Sequence, residues 1–255
     1  MSKKIDNMKI GIIGVGYIGK TLALKLGSAG HNVSVANTRS PEKMDPDVLA
    51  TGAKAVTAQQ AIEDNEVIIL SIPLNRIPDI APLFASVPEN VTVIDTSNYY
   101  PARDLKINRI EGGLVESLWV TEQLGRPIAK AWNAIGSQSL KKNGKSSGDS
   151  DRIAIPFAAD RGTDRNITKK LIEETGFDAY DTGLLADSWR QQPGAPIYCT
   201  DLTAAQIASL IDTAERARLP ARRDLAVAAI MERMSSAEAN PDADFGLRLS
   251  RALYI

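Results

Sequence analysis

Gly14, Gly16 and Gly19 lie in the run Lys9-Ile10-Gly11-Ile12-Ile13-Gly14-Val15-Gly16-Tyr17-Ile18-Gly19, at the spacing of a backbone that meets a pyrophosphate. The first glycine permits a tight turn, the second lets the main chain approach the anion, and the third lets the next helix pack on the sheet. Unpaired amides at that helix start then face the phosphates. Farther on, Asn37, Thr38, Arg39 and Ser40 follow the run His31-Asn32-Val33-Ser34-Val35-Ala36, where a dinucleotide site reads the adenine ribose. A carboxylate at this point would accept from a free 2'-hydroxyl and repel a 2'-phosphate. None is present there. Thr38 and Ser40 instead offer hydroxyls, and Arg39 offers a planar cationic fork suited to phosphate. The expected cofactor is NADP(H).

These residues need a strand before the glycines and a helix after them. Ile10 to Ile13 supplies the apolar strand, and Ile18, Leu22, Leu24 and Leu26 give the helix its apolar residues. Strand and helix signals then alternate for most of the chain, which predicts an α/β class with a Rossmann-like, doubly wound, mostly parallel sheet. Short strands are expected at 53–56, 67–72, 91–94 and 128–132, a short helix at 41–50, and a helix at 115–124. Lys141 to Asp151 has no apolar member and reads as a mobile surface loop, either a lid or a linker. Beyond it come a strand at 152–158, a helix at 163–175, a strand at 177–182, helices at 204–218 and 223–234, and a short mixed tail at 235–255. Residues 1–140 are expected to form the NADP-binding domain, and 152–255 a smaller α/β-to-helical domain that completes the substrate cleft.

Ligands of open α/β sheets lie beyond the carboxyl ends of the strands, so the loops there carry the candidate site. Ser71, Ile72, Pro73 and Leu74 would run alongside the cofactor, with Ile77 covering an aromatic face. Asn98, Tyr99 and Tyr100, and Trp132, Asn133 and Ala134, would lie nearer the nicotinamide. A fourth loop, from Asp187 to Gly194, brings Trp189 and Arg190 together. Tyr99, Tyr100, Trp119, Trp132 and Trp189 near loop ends imply a flat, apolar-walled pocket, with Arg190 as a substrate clamp. The bland readings are an aromatic core rim and an ion-paired surface arginine. No Tyr-x-x-x-Lys pair or other recognisable acid stands out, which fits hydride passage between two carriers held face to face.

Composition bounds the rest. The chain has 255 residues, 30 basic against 31 acidic, and a net charge of -1, so it attracts neither nucleic acid nor an anionic membrane in general. One cysteine, Cys199 in an apparent loop, excludes an internal disulfide, and one histidine, His31, read as a surface turn residue, leaves no histidine metal site. No metal is expected. The N-terminal residues lack an apolar leader, and no run approaches the ~20 apolar residues of a membrane span. A cytoplasmic protein acting on a small molecule is the expectation.

The segments GIIGVGYIGKTLALKLGSAGHNVSVANTRSPE, SIPLNRIP, VIDTSNYYP, AKAWNAIG and GFDAYDTGLLADSWRQQPGAPIY together resemble the F420-dependent NADP oxidoreductase family over about residues 8 to 200. The resemblance implies a Rossmann-like NADP domain, a smaller C-terminal part across a cleft, and a homodimer. It implies that Gly14, Tyr17, Ile18 and Gly19 hold pyrophosphate and that Thr38, Arg39 and Ser40 hold the 2'-phosphate. Ile72, Pro73 and Leu74 would flank the adenosine or nicotinamide side, and Asn133 and Ala134 would border the reacting ring. Coenzyme F420 or a flavin would then be the second substrate. Two other functions stay open: NADPH-dependent reduction of a small imine, aldehyde or keto acid, and an NADP(H) sensor without turnover.

Overall fold

The computed structural model describes residues 7–38, 40–234 and 242–255. β1 (Lys9–Ile13) is buried past its first residue, as a central strand must be when helices cover both faces. It leads through the glycine turn into α1 (Tyr17–Ser28) and β2 (Asn32–Ala36). β3 (Lys54–Ala55), α2 (Ala58–Ile62) and β4 (Val67–Leu70) follow, α2 opening on a reciprocal capping box between Thr57 and Gln60. Then come α3 (Ile77–Ile80), β5 (Thr92–Asp95), α4 (Pro101–Asp104), α5 (Asn108–Glu111), α6 (Glu116–Leu124), β6 (Ala129–Lys130) and α7 (Ser137–Lys142). The chain continues with β7 (Ala154–Ala159), α8 (Gly162–Glu174), β8 (Asp178–Asp181), α9 (Ala204–Leu210), α10 (Leu219–Arg233) and α11 (Ala243–Tyr254).

The eight strands form one sheet in the order β3-β2-β1-β4-β5-β6-β7-β8. β1 to β6 pair in parallel, β7 lies antiparallel on β6, and β8 is parallel to β7. The fold is therefore Rossmann-like, and the winding reverses between β1 and β4, which opens a crevice at their carboxyl ends. Side chains alternate between two faces: Ile10, Ile12, Val67 and Ile69 enter one core, while Ile13, Ile68 and Leu70 enter the other. Each such side chain contributes roughly 1.5–3 kcal/mol on burial, so both faces lock the register that sets the crevice.

Several expectations change in detail. Residues 41–50 form two single-turn 3-10 segments, Pro41–Lys43 and Pro46–Leu49, each opened by a proline, instead of one helix. His31 is no surface turn residue: it is buried, with Nε2 2.8 Å from Glu174 Oε2 on α8 while Nδ1 accepts from Met8 N. Two partners distant in sequence draw the imidazole inward. The tail is not mixed from 242 onward, because α11 packs Tyr254, Leu249 and Leu253 into a cluster with Tyr198 and Leu219. Residues 235–241 of that tail lie outside the described residues. β7 pairs with β6 and β8 with β7, so the sheet continues across the segment between 140 and 152. That segment is exposed, and Lys145 N donates to Gly176 O at 2.9 Å.

Candidate active site

The crevice begins at Gly14, whose φ of 97° is left-handed and whose N–H donates to Ala36 O at 2.8 Å, tying the turn to β2. A Cβ on Gly19 would stand 2.0 Å from Gly14 O, so α1 meets the turn in direct backbone contact. At Gly16 a Cβ would meet nothing within 4 Å, and this N-cap of α1 carries no side-chain cap. Open space in front of uncapped amides is the cradle that a pyrophosphate fills. Tyr17 is exposed and Ile18 half-buried at the same mouth.

At the end of β2, Thr38 and Ser40 are exposed and Asn37 is half-buried, its Nδ2 3.7 Å from Met44 Sδ. Arg39 lies outside the described residues. The Glu42 carboxyl is held below its usual range by its own backbone amide and then by the Ser40 hydroxyl. Lys43 ends the adjoining 3-10 turn, its N–H donating to Ser40 O at 3.0 Å. The turn keeps the Lys43 backbone next to Ser40, the last residue that the glycine-led reading reached. Beyond β4, Ser71 and Ile72 are half-buried and Pro73 is exposed, whereas Leu74 and Ile77 are wholly buried. The last two support the loop from the core instead of facing a ligand.

Asn98 and Asn133, on the loops after β5 and β6, bind each other: Asn98 Nδ2 donates to Asn133 O at 2.8 Å and Asn133 Nδ2 donates to Asn98 Oδ1 at 3.1 Å. Gln191 Nε2 donates to Asn133 Oδ1 at 2.9 Å, and Asn98 Nδ2 also reaches Tyr198 OH at 3.2 Å. Ala134 is buried and its carbonyl accepts from Cys199 N. Beneath this network Lys130 Nζ is 2.7 Å from Asp95 Oδ2, with both side chains wholly buried, and Lys130 also donates to Ser97 O. A buried lysine needs that carboxylate, and the pair fixes the turn that carries Asn98.

A cavity of about 570 Å³ opens beside Tyr100 and Tyr198, walled by Ala226, Val227 and Ile230 of α10 and Leu247 of α11. None of Tyr99, Trp132, Trp189 and Arg190 is among the residues lining it. Tyr99 is buried, its OH donating to Glu111 Oε1 at 2.9 Å with Arg223 over its ring. Trp132 is buried in the core at φ 55°, a costly conformation for a bulky residue. Trp189 is sandwiched by Arg190 at 4.4 Å and Arg216 at 5.7 Å, and Arg190 also pairs with Asp187 at 2.9 Å. Tyr100 is one of the aromatics that the sequence singles out and Gln191 lies in the loop from Asp187 to Gly194, but Tyr198, Lys130 and Glu116 carry no local signal.

Glu116, at the start of α6, is buried and its carboxyl is pushed up to about 7 by desolvation, against the opposing pull of Lys130 and the Tyr99 N–H. The folded state therefore binds this proton more tightly than the unfolded chain does. Its stabilisation is full below about 4.5 and is lost as the pH rises to about 7, a change of roughly 3 kcal/mol. Glu116→Gln keeps an oxygen for the Tyr99 amide and is expected to remove this slope. Urea unfolding at about pH 5 and about pH 8 checks it; equal pH dependence in both proteins would contradict the assignment.

Comparison with known proteins agrees with the Rossmann-like fold. Residues 9–99 match the model of the family described as NADP oxidoreductase, coenzyme F420-dependent. A stretch of 77 residues is 40% identical to the Escherichia coli (strain K12) protein YjhV, covering 29% of this chain and 56% of that protein. The chain thus spans about half the length of the curated relative it matches. The structure is similar to that of the Sinorhizobium meliloti protein SMa0349, with a TM-score of 0.67 and 26% identity over 77% of this chain and 95% of the other. It shares its fold with an Arthrobacter sp. FB24 protein described as a candidate F420-dependent NADP-reductase, with a TM-score of 0.54 and 17% identity over 71% and 87% of the two chains. The part of the chain that matches the model of the NADP oxidoreductase, coenzyme F420-dependent, family is thus residues 9–99, which hold the glycine turn, Asn37 to Ser40 and Asn98.

Proposed function

We propose that the protein is an NADP(H)-dependent oxidoreductase that moves hydride between NADPH and a second small molecule. The observation that carries this reading is the uncapped N-terminus of α1 behind open space at Gly16, set in the crevice between β1 and β4. Bound NADP(H) would supply the hydride chemistry. The α1 amides would hold its pyrophosphate, and Thr38, Arg39, Ser40 and Lys43 its 2'-phosphate. Ser71 to Pro73 would run along it, and Asn98 and Asn133 would orient the reacting ring. The family resemblance supports coenzyme F420 or a flavin as a candidate acceptor. It also supports residues 1–140 as the cofactor lobe, 152–255 as the lobe completing the cleft, and a homodimer, while the lone cysteine fits a cytoplasmic setting.

The cofactor reading is tested by titrating NADPH and NADH into wild type and Arg39→Ala. NADPH affinity is expected to fall by roughly 10-fold or more, the size of a lost charge-assisted phosphate contact, while NADH affinity barely moves. Equal loss for both cofactors, or no loss, would refute it. Stopped-flow mixing of NADPH-loaded protein with flavin, deazaflavin and carbonyl compounds tests turnover. No oxidation with any acceptor would favour an NADP(H) sensor.

A further inference from the structure

Tyr100 and Tyr198 line the cavity together, and their hydroxyl oxygens are 2.5 Å apart. Two phenols hold two protons, and one proton is used between them. Tyr198 OH already accepts from Asn98 Nδ2 at 3.2 Å, so the amide fills one of its acceptor positions without taking a proton. The pair's neighbours include the Cys199 thiol, which burial pushes up to about 12 and which is a weak acceptor for the Tyr198 hydroxyl, and Tyr254, whose ring centroid is 6.5 Å from that of Tyr198. One phenolic proton of the pair is therefore engaged by no strong acceptor and can be given to whatever enters the cavity. Through Asn98 the pair is one hydrogen bond from Asn133, on the loops that border the reacting ring in the reading above.

The charges of the cavity narrow the ligand. Its arginines are spoken for: Arg103 pairs with Asp104 at 2.8 Å and Arg223 with Asp224 at 2.8 Å. Asp201 and Asp242 also line it, which disfavours an anion, while Ala226, Val227 and Ile230 of α10 and Leu247 of α11 give it apolar wall. Resting on the NADPH reading, we propose that Tyr100 and Tyr198 form a proton-donating pair for the carbonyl oxygen of a neutral aldehyde or ketone with an apolar chain, bound in this cavity. Bound NADPH would supply a hydride to the carbonyl carbon, and the π electron pair of the C=O bond would pass to oxygen. A phenolic proton then closes that oxygen to a hydroxyl. The carbonyl would thus be reduced as NADPH is oxidised to NADP+, and the phenolate would regain its proton from water. Burial raises both phenols well above their ordinary value, so they stay protonated until an alkoxide, a stronger base, forms.

The pair makes an unusual kinetic prediction. In Tyr100→Phe or Tyr198→Phe the surviving hydroxyl still has a proton to give, so each single variant is expected to lose only a few-fold in kcat. The double variant is expected to lose roughly 100-fold or more, the range of general acid catalysis. The assays use aldehydes from butanal to octanal with NADPH, and turnover in ²H₂O is expected to be slower for wild type. Octanamide, a carbonyl that hydride does not reduce under these conditions, gives a readout without turnover: the double variant should bind it at least 10-fold more weakly by calorimetry. NADPH affinity, followed by its fluorescence, should be unchanged.

Double-variant turnover and octanamide binding close to wild type would overturn the proposal, as would oxidation of NADPH by flavin or deazaflavin and by none of the aldehydes. Failure to bind NADPH would instead refute the reading beneath it. If the double variant does not fold, a rate with aldehydes that is identical in ²H₂O and water would still count against the pair.

Discussion

Lys130→Met is expected to lower the unfolding free energy by about 3–5 kcal/mol, because it leaves the Asp95 carboxylate buried without its cation. Both side chains of the pair have zero exposure, so water cannot take over from the lost ammonium. Ser97 N still donates to Asp95 Oδ1 at 3.0 Å, but one amide does not offset a buried charge. Glu116 would suffer as well, since the same lysine is the leading charge that opposes its desolvation. Adding Asp95→Asn removes the orphan charge, and the double variant is expected to recover much of the loss. Urea unfolding of the three proteins, with equal m-values as the check on two-state behaviour, decides it. A single-variant loss below about 1 kcal/mol would mean that solvent reaches the pair. Because Lys130 also holds the Ser97 carbonyl, NADPH binding should weaken in Lys130→Met even where the protein is still folded.

What the chain discloses by itself follows from how local each feature is. The glycine turn is written in contiguous residues because a left-handed Gly14 and a close Gly19 are backbone requirements, and the core strands β1 and β4 are written in apolar runs. The phosphate loop is nearly as local, yet Lys43 escapes a reading that stops at Ser40, since a 3-10 turn is needed to bring it back. The tyrosine pair has no such code. Tyr100 and Tyr198 are separated in the chain by β6, β7 and β8, and their meeting depends on the loop after β8 folding back over Asn133. The aromatics chosen by position fared differently for the same reason: Trp132 and Tyr99 stand next to loop ends but turn into the core, whereas Tyr100 alone faces the cavity. His31 shows the limit from the other side, since its inward turn is decided by Glu174 on a helix far along the chain.

Gly14→Ala tests the cradle itself. The residue has φ 97°, and an added Cβ would lie 2.2 Å from Ser71 O and 2.8 Å from Ile72 Cγ2. The second contact is with a side chain that can turn aside, but the first is with a backbone carbonyl whose residue hydrogen-bonds through Ser71 N to Ile13 O. Relief therefore requires β4 and the turn to part, which breaks the crevice where the pyrophosphate is to bind. Conformational strain and overpacking together are expected to cost roughly 2–6 kcal/mol, and NADPH affinity should fall by more than stability alone explains. Gly16→Ala serves as the contrast: it meets nothing within 4 Å in the ligand-free fold, so its stability should stay within about 1 kcal/mol of wild type. Its added methyl group nevertheless projects into the space assigned to the pyrophosphate, and NADPH binding should weaken without a stability loss. Calorimetric titration and urea unfolding on both variants separate the two effects. Unimpaired NADPH binding by both would remove this turn from the cofactor site, whatever the glycine spacing implies.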